Sequence, residues 1–120
     1  AIAVGHGRYT HTLIRQQREF GIAFPGPDMA EAVRYTGTIS GRDVADKVER
    51  SELELVEAHV IKPPLIAGCP INLECQLVGE LEAGDHTIFL GHVVAAHVDE
   101  SVETHLLNFS GEFFPAEPVR

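Results

Sequence analysis

A β-rich fold carrying two or three short helices is predicted, and three features of the second half of the chain predict it. From Ile71 to Leu81 the odd positions are Ile71, Leu73, Cys75, Leu77, Gly79 and Leu81, whereas the even ones include Asn72, Glu74, Gln76 and Glu80. That alternation predicts a strand with one wet face. Glu82-Ala83-Gly84-Asp85 is a turn signal, in which Gly84 permits a tight reversal and Asp85 can accept a bond from a turn N–H. His86 to Asp99 is then apolar on both faces, with Ile88, Leu90, Val94 and Val98 on one and Phe89, Val93 and Ala95 on the other. The two segments should pair as a hairpin. A strand buried on both sides needs a barrel interior behind it and a helix or second subunit in front.

The first half alternates short strands with short helices. Ala1 to Val4 is an apolar run expected as a buried strand, and Gly5 to Thr10 a loop in which Thr10 is a candidate N-cap. Thr12 to Glu19 is expected as a helix with Leu13 and Ile14 on its apolar side. Phe20 to Phe24 returns as a strand, stopped by Pro25-Gly26-Pro27. Asp28 caps a second helix, Met29 to Tyr35, and a third helix start is expected at Ser40. Glu49 to Glu57 is acidic and only partly periodic, a solvated helix end or an irregular segment. Val60-Ile61 is expected as a small strand ended by Pro63-Pro64. No repeat, low-complexity tract or linker divides the 120 residues, which are expected to form one domain.

Composition narrows the function. The formal net charge is -9 and no basic run is present, which argues against nucleic acid. No apolar run approaches the ~20 residues of a membrane span. Ala1 to Gly5 lacks a basic n-region and a full h-region, so no secretory signal is expected and a cytoplasmic location is the default. Cys69 and Cys75 would lie roughly 20 Å apart on one strand at ~3.3 Å per residue, too far for a disulfide, and are expected as reduced thiols with Cys75 buried. Histidines offer no metal site by spacing: His6 and His11 are five apart, His92 and His97 face opposite sides of a strand, and His86 and His92 are separated by about 20 Å.

One segment concentrates anion-binding chemistry. In Thr38-Ile39-Ser40-Gly41-Arg42-Asp43-Val44-Ala45-Asp46-Lys47, Ser40 is a candidate N-cap, Asp43 could complete a variant capping box, and Gly41 lets backbone N–H groups approach a ligand. Arg42 and Lys47 add positive charge beside a helix dipole that favours an anion. The alternative reading is ordinary helix stabilisation, with Asp43 and Lys47 four apart and the acid first.

Taken in order, Arg8-Tyr9-Thr10, Glu19-Phe20, Ser40-Gly41-Arg42 with Asp46-Lys47, Pro64-Leu65-Ile66, Asn72-Leu73-Glu74-Cys75, Gly84-Asp85-His86, Ile88 to Val94 and the pair Phe113-Phe114 resemble the flavin reductase-like family. These are FMN-binding split barrels, and the flavoredoxin-type branch is the most similar. The resemblance covers nearly the whole chain. It implies a homodimeric split β-barrel holding FMN near the subunit interface, with NAD(P)H or a redox partner protein exchanging electrons. Thr10 and the segment of Ser40, Gly41, Arg42 and Lys47 would hold the ribityl phosphate, Arg8 would be a further cofactor-binding residue, His86 would sit beside the flavin, and Phe113 or Phe114 would pack against it. His86 is therefore expected to line the same cleft as Lys47. Relatives carry further barrel strands before the segment matching Ala1–Val4, so the chain is expected to represent an N-terminally truncated barrel that lacks or borrows its first strands. Ala23 stands where many relatives carry asparagine. The expected activity is flavin-dependent electron transfer or flavin reduction, with a non-catalytic barrel remnant acting as an oligomeric or small-molecule-binding module as the alternative.

Overall fold

Two strands of 13 residues each, β5 (Ile71–Ala83) and β6 (His86–Val98), form the spine of the computed structural model, which describes residues 1–117. They pair antiparallel from Ile71 opposite Val98 to Ala83 opposite His86. Gly84, at φ 63°, is the first of the two turn residues, as a tight hairpin with a left-handed first position requires. The register shifts between Glu74 and Cys75 and again between Leu77 and Gly79, which twists the ribbon. Strand β1 (Ile2–Gly5) adds to β6 and strand β2 (Glu19–Phe24) adds to β5, giving the antiparallel order β1-β6-β5-β2. The sheet stays open, with β1 and β2 at its edges.

Helix α1 (Tyr9–Gln17) lies against this sheet. Its buried residues are His11 and Ile14, one turn apart. Ile14 joins Phe20, Cys75, Leu77 and Phe89 in a small core, as expected for Cys75, and both cysteines are free thiols. Gly91 is required by that packing: a Cβ there would stand 2.5 Å from Phe20 Cζ and 2.9 Å from Cys75 Cβ. His11 fixes the helix by its ring. Thr87 Oγ1 donates to Glu82 Oε1 at 3.0 Å, so its oxygen must accept the 2.8 Å bond from His11 Nε2, which therefore carries a proton. Arg15 reaches from the exposed side of α1 to Glu80 and Glu82.

After β2 a single 3-10 turn, Pro27–Met29, leads into α2 (Ala30–Thr38). A four-residue helix α3 (Lys47–Arg50) and a two-residue pair, β3 (Leu55–Val56) with β4 (Leu65–Ile66), fill the connection to β5. A second hairpin, β7 (His105–Phe109) with β8 (Glu112–Ala116), completes the described chain. None of the described helices is long and apolar enough to cross a membrane.

Several expectations need correction. Helix α1 begins at Tyr9, so Thr10 lies in its first turn and Arg8 is the N-cap, with no side-chain capping bond. No helix starts at Ser40: its carbonyl accepts from Asp43 and Val44 N–H, closing one turn, and helix resumes only at Lys47. Asp43 and Lys47 thus share no helix and make no ion pair among the described residues. Val60-Ile61 is not a strand, because both N–H groups donate to Glu74 instead of to a neighbouring strand. The even face of β5 is not uniformly wet: Asn72 and Glu74 are buried, and Asn72 bonds the Ile66 backbone through both ends of its amide. Nor is β6 buried on both faces within the chain, since Leu90, Val93 and Val98 are exposed.

Candidate functional site

A cleft of about 300 Å³ opens where the first turn of α1 faces the end of α2 and the segment after it. Arg8, Thr10, Ser40, Gly41 and Lys47 all line it, although 39 positions separate the first from the last. The connection between them is physical. His11, anchored on Thr87, holds the start of α1 over the start of β6. Lys47 Nζ donates to the Thr36 carbonyl at 2.6 Å and so ties the chain after Ser40 to the last turn of α2. Gly41 packs so that a Cβ would stand 3.4 Å from the Tyr9 ring and 3.9 Å from Lys47 Cδ.

The electrostatics of this cleft are one-sided. No aspartate or glutamate lines it, in a chain whose net charge is -9. Partial burial, and then repulsion from Arg8, push the Lys47 ammonium below the ordinary lysine value. Two cations that disfavour each other face a common space with no acid between them. The first turn of α1, a nine-residue helix without a side-chain cap, adds N–H groups and the positive end of its dipole. Ser40 Oγ accepts the Arg42 N–H at 3.2 Å and keeps its own proton to donate. The residues present therefore suit a phosphate or carboxylate.

The remaining expected residues fall outside the cleft. The Arg42 guanidinium lies 5.4 Å from the Tyr9 ring centroid and does not line the cleft. His86 lies in an adjoining open depression of about 530 Å³, which shares Gly7 and Arg8 with the cleft. Its Nδ1 is 2.7 Å from Asp85 Oδ1, a contact that holds the aspartate below its ordinary value. His86 and Lys47 thus line neighbouring depressions that have Gly7 and Arg8 in common. Phe113 and Phe114 belong to the separate β7–β8 hairpin; Phe113 takes the Arg34 guanidinium 5.3 Å from its centroid, Phe114 is exposed, and neither lines the cleft. An apolar cavity of about 200 Å³, lined by Ala23, Met29, Val33 and Cys69 among others, shares Thr36 with the cleft.

A second polar centre escaped the sequence reading. Glu74 is fully buried on β5. Its Oε1 accepts from Val60 N–H at 2.7 Å and Ile61 N–H at 3.0 Å, and its Oε2 accepts from His59 N–H at 3.1 Å. His97 Nε2 completes the set at 2.6 Å. Burial raises the carboxyl, but the bonds from His97 and the three N–H groups outweigh it and hold the group at about 2. A glutamate within an apolar alternation was the available signal; its partners lie 13 to 23 positions away.

Comparison with known proteins gives this arrangement its relatives. The sequence model described as "Flavin reductase like domain" matches residues 1–117. An uncharacterised protein of Archaeoglobus fulgidus is 44% identical over 93 residues, covering 78% of this chain and 52% of its own. Among solved structures, the NADH:FAD oxidoreductase of Streptomyces globisporus C-1027 superposes with a TM-score of 0.86 at 28% identity, over 98% of this chain and 68% of that one. An FMN-binding protein from Thermus thermophilus with bound p-hydroxybenzaldehyde gives 0.86 at 25% identity, over 99% and 70%. The chain spans about half the length of most curated relatives it matches.

Proposed function

The chain belongs to the flavin reductase-like family, and we propose that it holds FMN by the phosphate in the cleft between α1 and α2 and serves flavin-linked electron transfer. The observation that carries this reading is the acid-free cleft that Arg8 and Lys47 both line beside a helix start without a side-chain cap. In this reading Lys47 and Arg8 neutralise the phosphate, and Thr10 and Ser40 donate hydroxyl protons to it. When bound, the flavin supplies the redox chemistry, accepting hydride or electrons and passing them on. The protein's part is to bind and orient it. Reduced nicotinamide as the electron donor is supported by the name of the Streptomyces relative, an NADH:FAD oxidoreductase.

Homodimerisation belongs to the same proposal. Val78 and Leu81 on β5 and Leu90, Val93 and Val98 on β6 leave apolar surface exposed on the two long strands, which a second subunit would cover. Sedimentation at micromolar protein tests this, and a stable monomer would count against it. Free thiols suit a cytoplasmic setting.

The deciding experiment is a comparison of FMN with riboflavin, which lacks the phosphate, by flavin fluorescence titration. FMN should bind more tightly than riboflavin, and Lys47→Ala should remove most of the difference. Equal affinity for the two flavins would overturn the phosphate assignment. Failure to take up either flavin would favour a non-catalytic oligomeric or small-molecule-binding module.

A further inference from the structure

The end of the hairpin opposite its turn carries a cluster that the flavin cleft does not use. We propose that His59, Glu74 and His97 form a binding site for a divalent transition-metal ion of the zinc, cobalt and nickel class. One ligand atom from each of the three lies within 4.8 Å of the others. The His59 and His97 rings meet edge to face, with centroids 4.5 Å apart. Two imidazoles and one carboxylate make a donor set that such ions favour, whereas calcium and magnesium take oxygen ligands almost alone.

The carboxylate is prepared for this role. Three backbone N–H bonds, from His59, Val60 and Ile61, fix its position and leave it no freedom to swing away. Its remaining contact is the 2.6 Å bond from His97 Nε2, and this is the contact the ion replaces. A neutral His97 ring would move its proton from Nε2 to Nδ1, and a protonated ring would release one proton to solvent. With metal–ligand distances of about 2.0–2.2 Å, tetrahedral geometry needs roughly 3.3 Å between Nε2 and Oε2. His97, with 29% of its side chain exposed, has room for that displacement. His59 is exposed and leaves a fourth position open to water or a small anion.

An ion held there joins the loop after β3 to both long strands. Binding to the folded state alone must then raise thermal stability with ion concentration.

The test is titration of the full chain with cobalt(II), read by its visible ligand-field bands, alongside zinc-dependent thermal melts. The wild type should show the intense bands of a low-coordinate site, zinc should abolish them, and zinc should raise Tm. His97→Gln keeps an N–H for Glu74 but supplies no ligand nitrogen, and His59→Asn changes an exposed side chain. Each should weaken cobalt binding by at least the ~10–100-fold that loss of an outer-shell partner costs a metal site. A wild-type spectrum no different from that of the aqueous ion would overturn the proposal. So would undiminished binding in the variants, which would put the ion on other histidines. If His97→Gln does not fold, His59→Asn decides alone.

Discussion

Two sets of charges in this chain meet opposite fates. Glu74 is fully buried, yet both of its oxygens are occupied by N–H donors, and its charge is stabilised from within the fold. Arg8 and Lys47 are more accessible, yet they face a space without a carboxylate and raise each other's electrostatic cost. Burial is therefore a poor guide to which charge awaits a partner. Completeness of the hydrogen-bond set is the better one. The first arrangement holds a loop on a sheet without any ion, which would enter only in exchange for the His97 bond, and the second, in the function proposed above, would be completed by an anion from outside.

The largest expected effect comes from breaking the satisfied set. In Glu74→Gln an NH₂ group must face backbone donors, so at least one N–H is left without an acceptor. The urea midpoint of this variant should fall more than that of any cleft variant. The pH dependence follows from the direction of the shift. Glu74 is held at about 2 against an ordinary 4.5, so the folded state binds this proton more weakly than the unfolded state does. Its contribution is full above about pH 4.5 and is lost as pH falls towards about 2. Urea midpoints measured across that range should fall less steeply in Glu74→Gln. Parallel curves for the two proteins would show that the carboxylate is not stabilised as the geometry requires.

Completing the unsatisfied set from the wrong side is the next test. Lys47→Ala should weaken FMN by ~1.5–3 kcal/mol, the worth of a charge-assisted hydrogen bond. Riboflavin affinity should stay unchanged, because the ring contacts are untouched. Fold stability should fall by no more than the charge-assisted bond to the Thr36 carbonyl, about 1.5–3 kcal/mol. A large loss of stability with unchanged FMN affinity would make Lys47 a helix-end clamp and nothing more.

The same lysine predicts a smaller, graded effect. Burial and Arg8 lower its value in the free protein, so the ammonium begins to deprotonate below the ordinary 10.5. Phosphate binding needs the charged form. FMN affinity should decline with alkaline pH earlier than an unperturbed lysine would allow, and Lys47→Arg should flatten that limb of the profile.

Much of the fold was legible in the sequence for reasons the structure makes plain. The hairpin β5–β6 was written in alternation, in Gly84 and in the apolar run after it, because its register is set locally by a two-residue turn. Ser40, Gly41 and Lys47 were legible in the anion-binding chemistry of their segment, Arg8 and Thr10 through the family resemblance, and all five line one cleft. The helix start expected at Ser40 failed because a cap residue specifies one turn only: Asp43 and Val44 N–H close that turn on the Ser40 carbonyl, and helix resumes only at Lys47. Glu74 was placed on a wet face because period-2 patterning cannot show that a loop 13 to 15 positions upstream folds over it. The β7–β8 hairpin was missed although Ser110 and Gly111 both adopt positive φ, at 51° and 83°. The flanking residues do not alternate strongly enough to announce strands.

The smallest expected effect decides how far the cleft extends. His86 was expected in the same cleft as Lys47, and it lies instead in the adjoining depression, with Gly7 and Arg8 common to both. Its ring is exposed and engaged by Asp85 through Nδ1, so Nε2 is the atom left to face a ligand. An exposed imidazole at that remove interacts with a phosphate mainly through screened charge, worth less than about 1 kcal/mol. His86→Ala should therefore change the FMN-over-riboflavin preference by much less than Lys47→Ala does. Asp85→Asn, which frees the ring from its carboxylate, should change it as little. A loss in His86→Ala equal to that in Lys47→Ala would mean that the ligand bridges both depressions across Arg8. The two would then be one site, with the unsatisfied charge of this chain spread over three side chains instead of two.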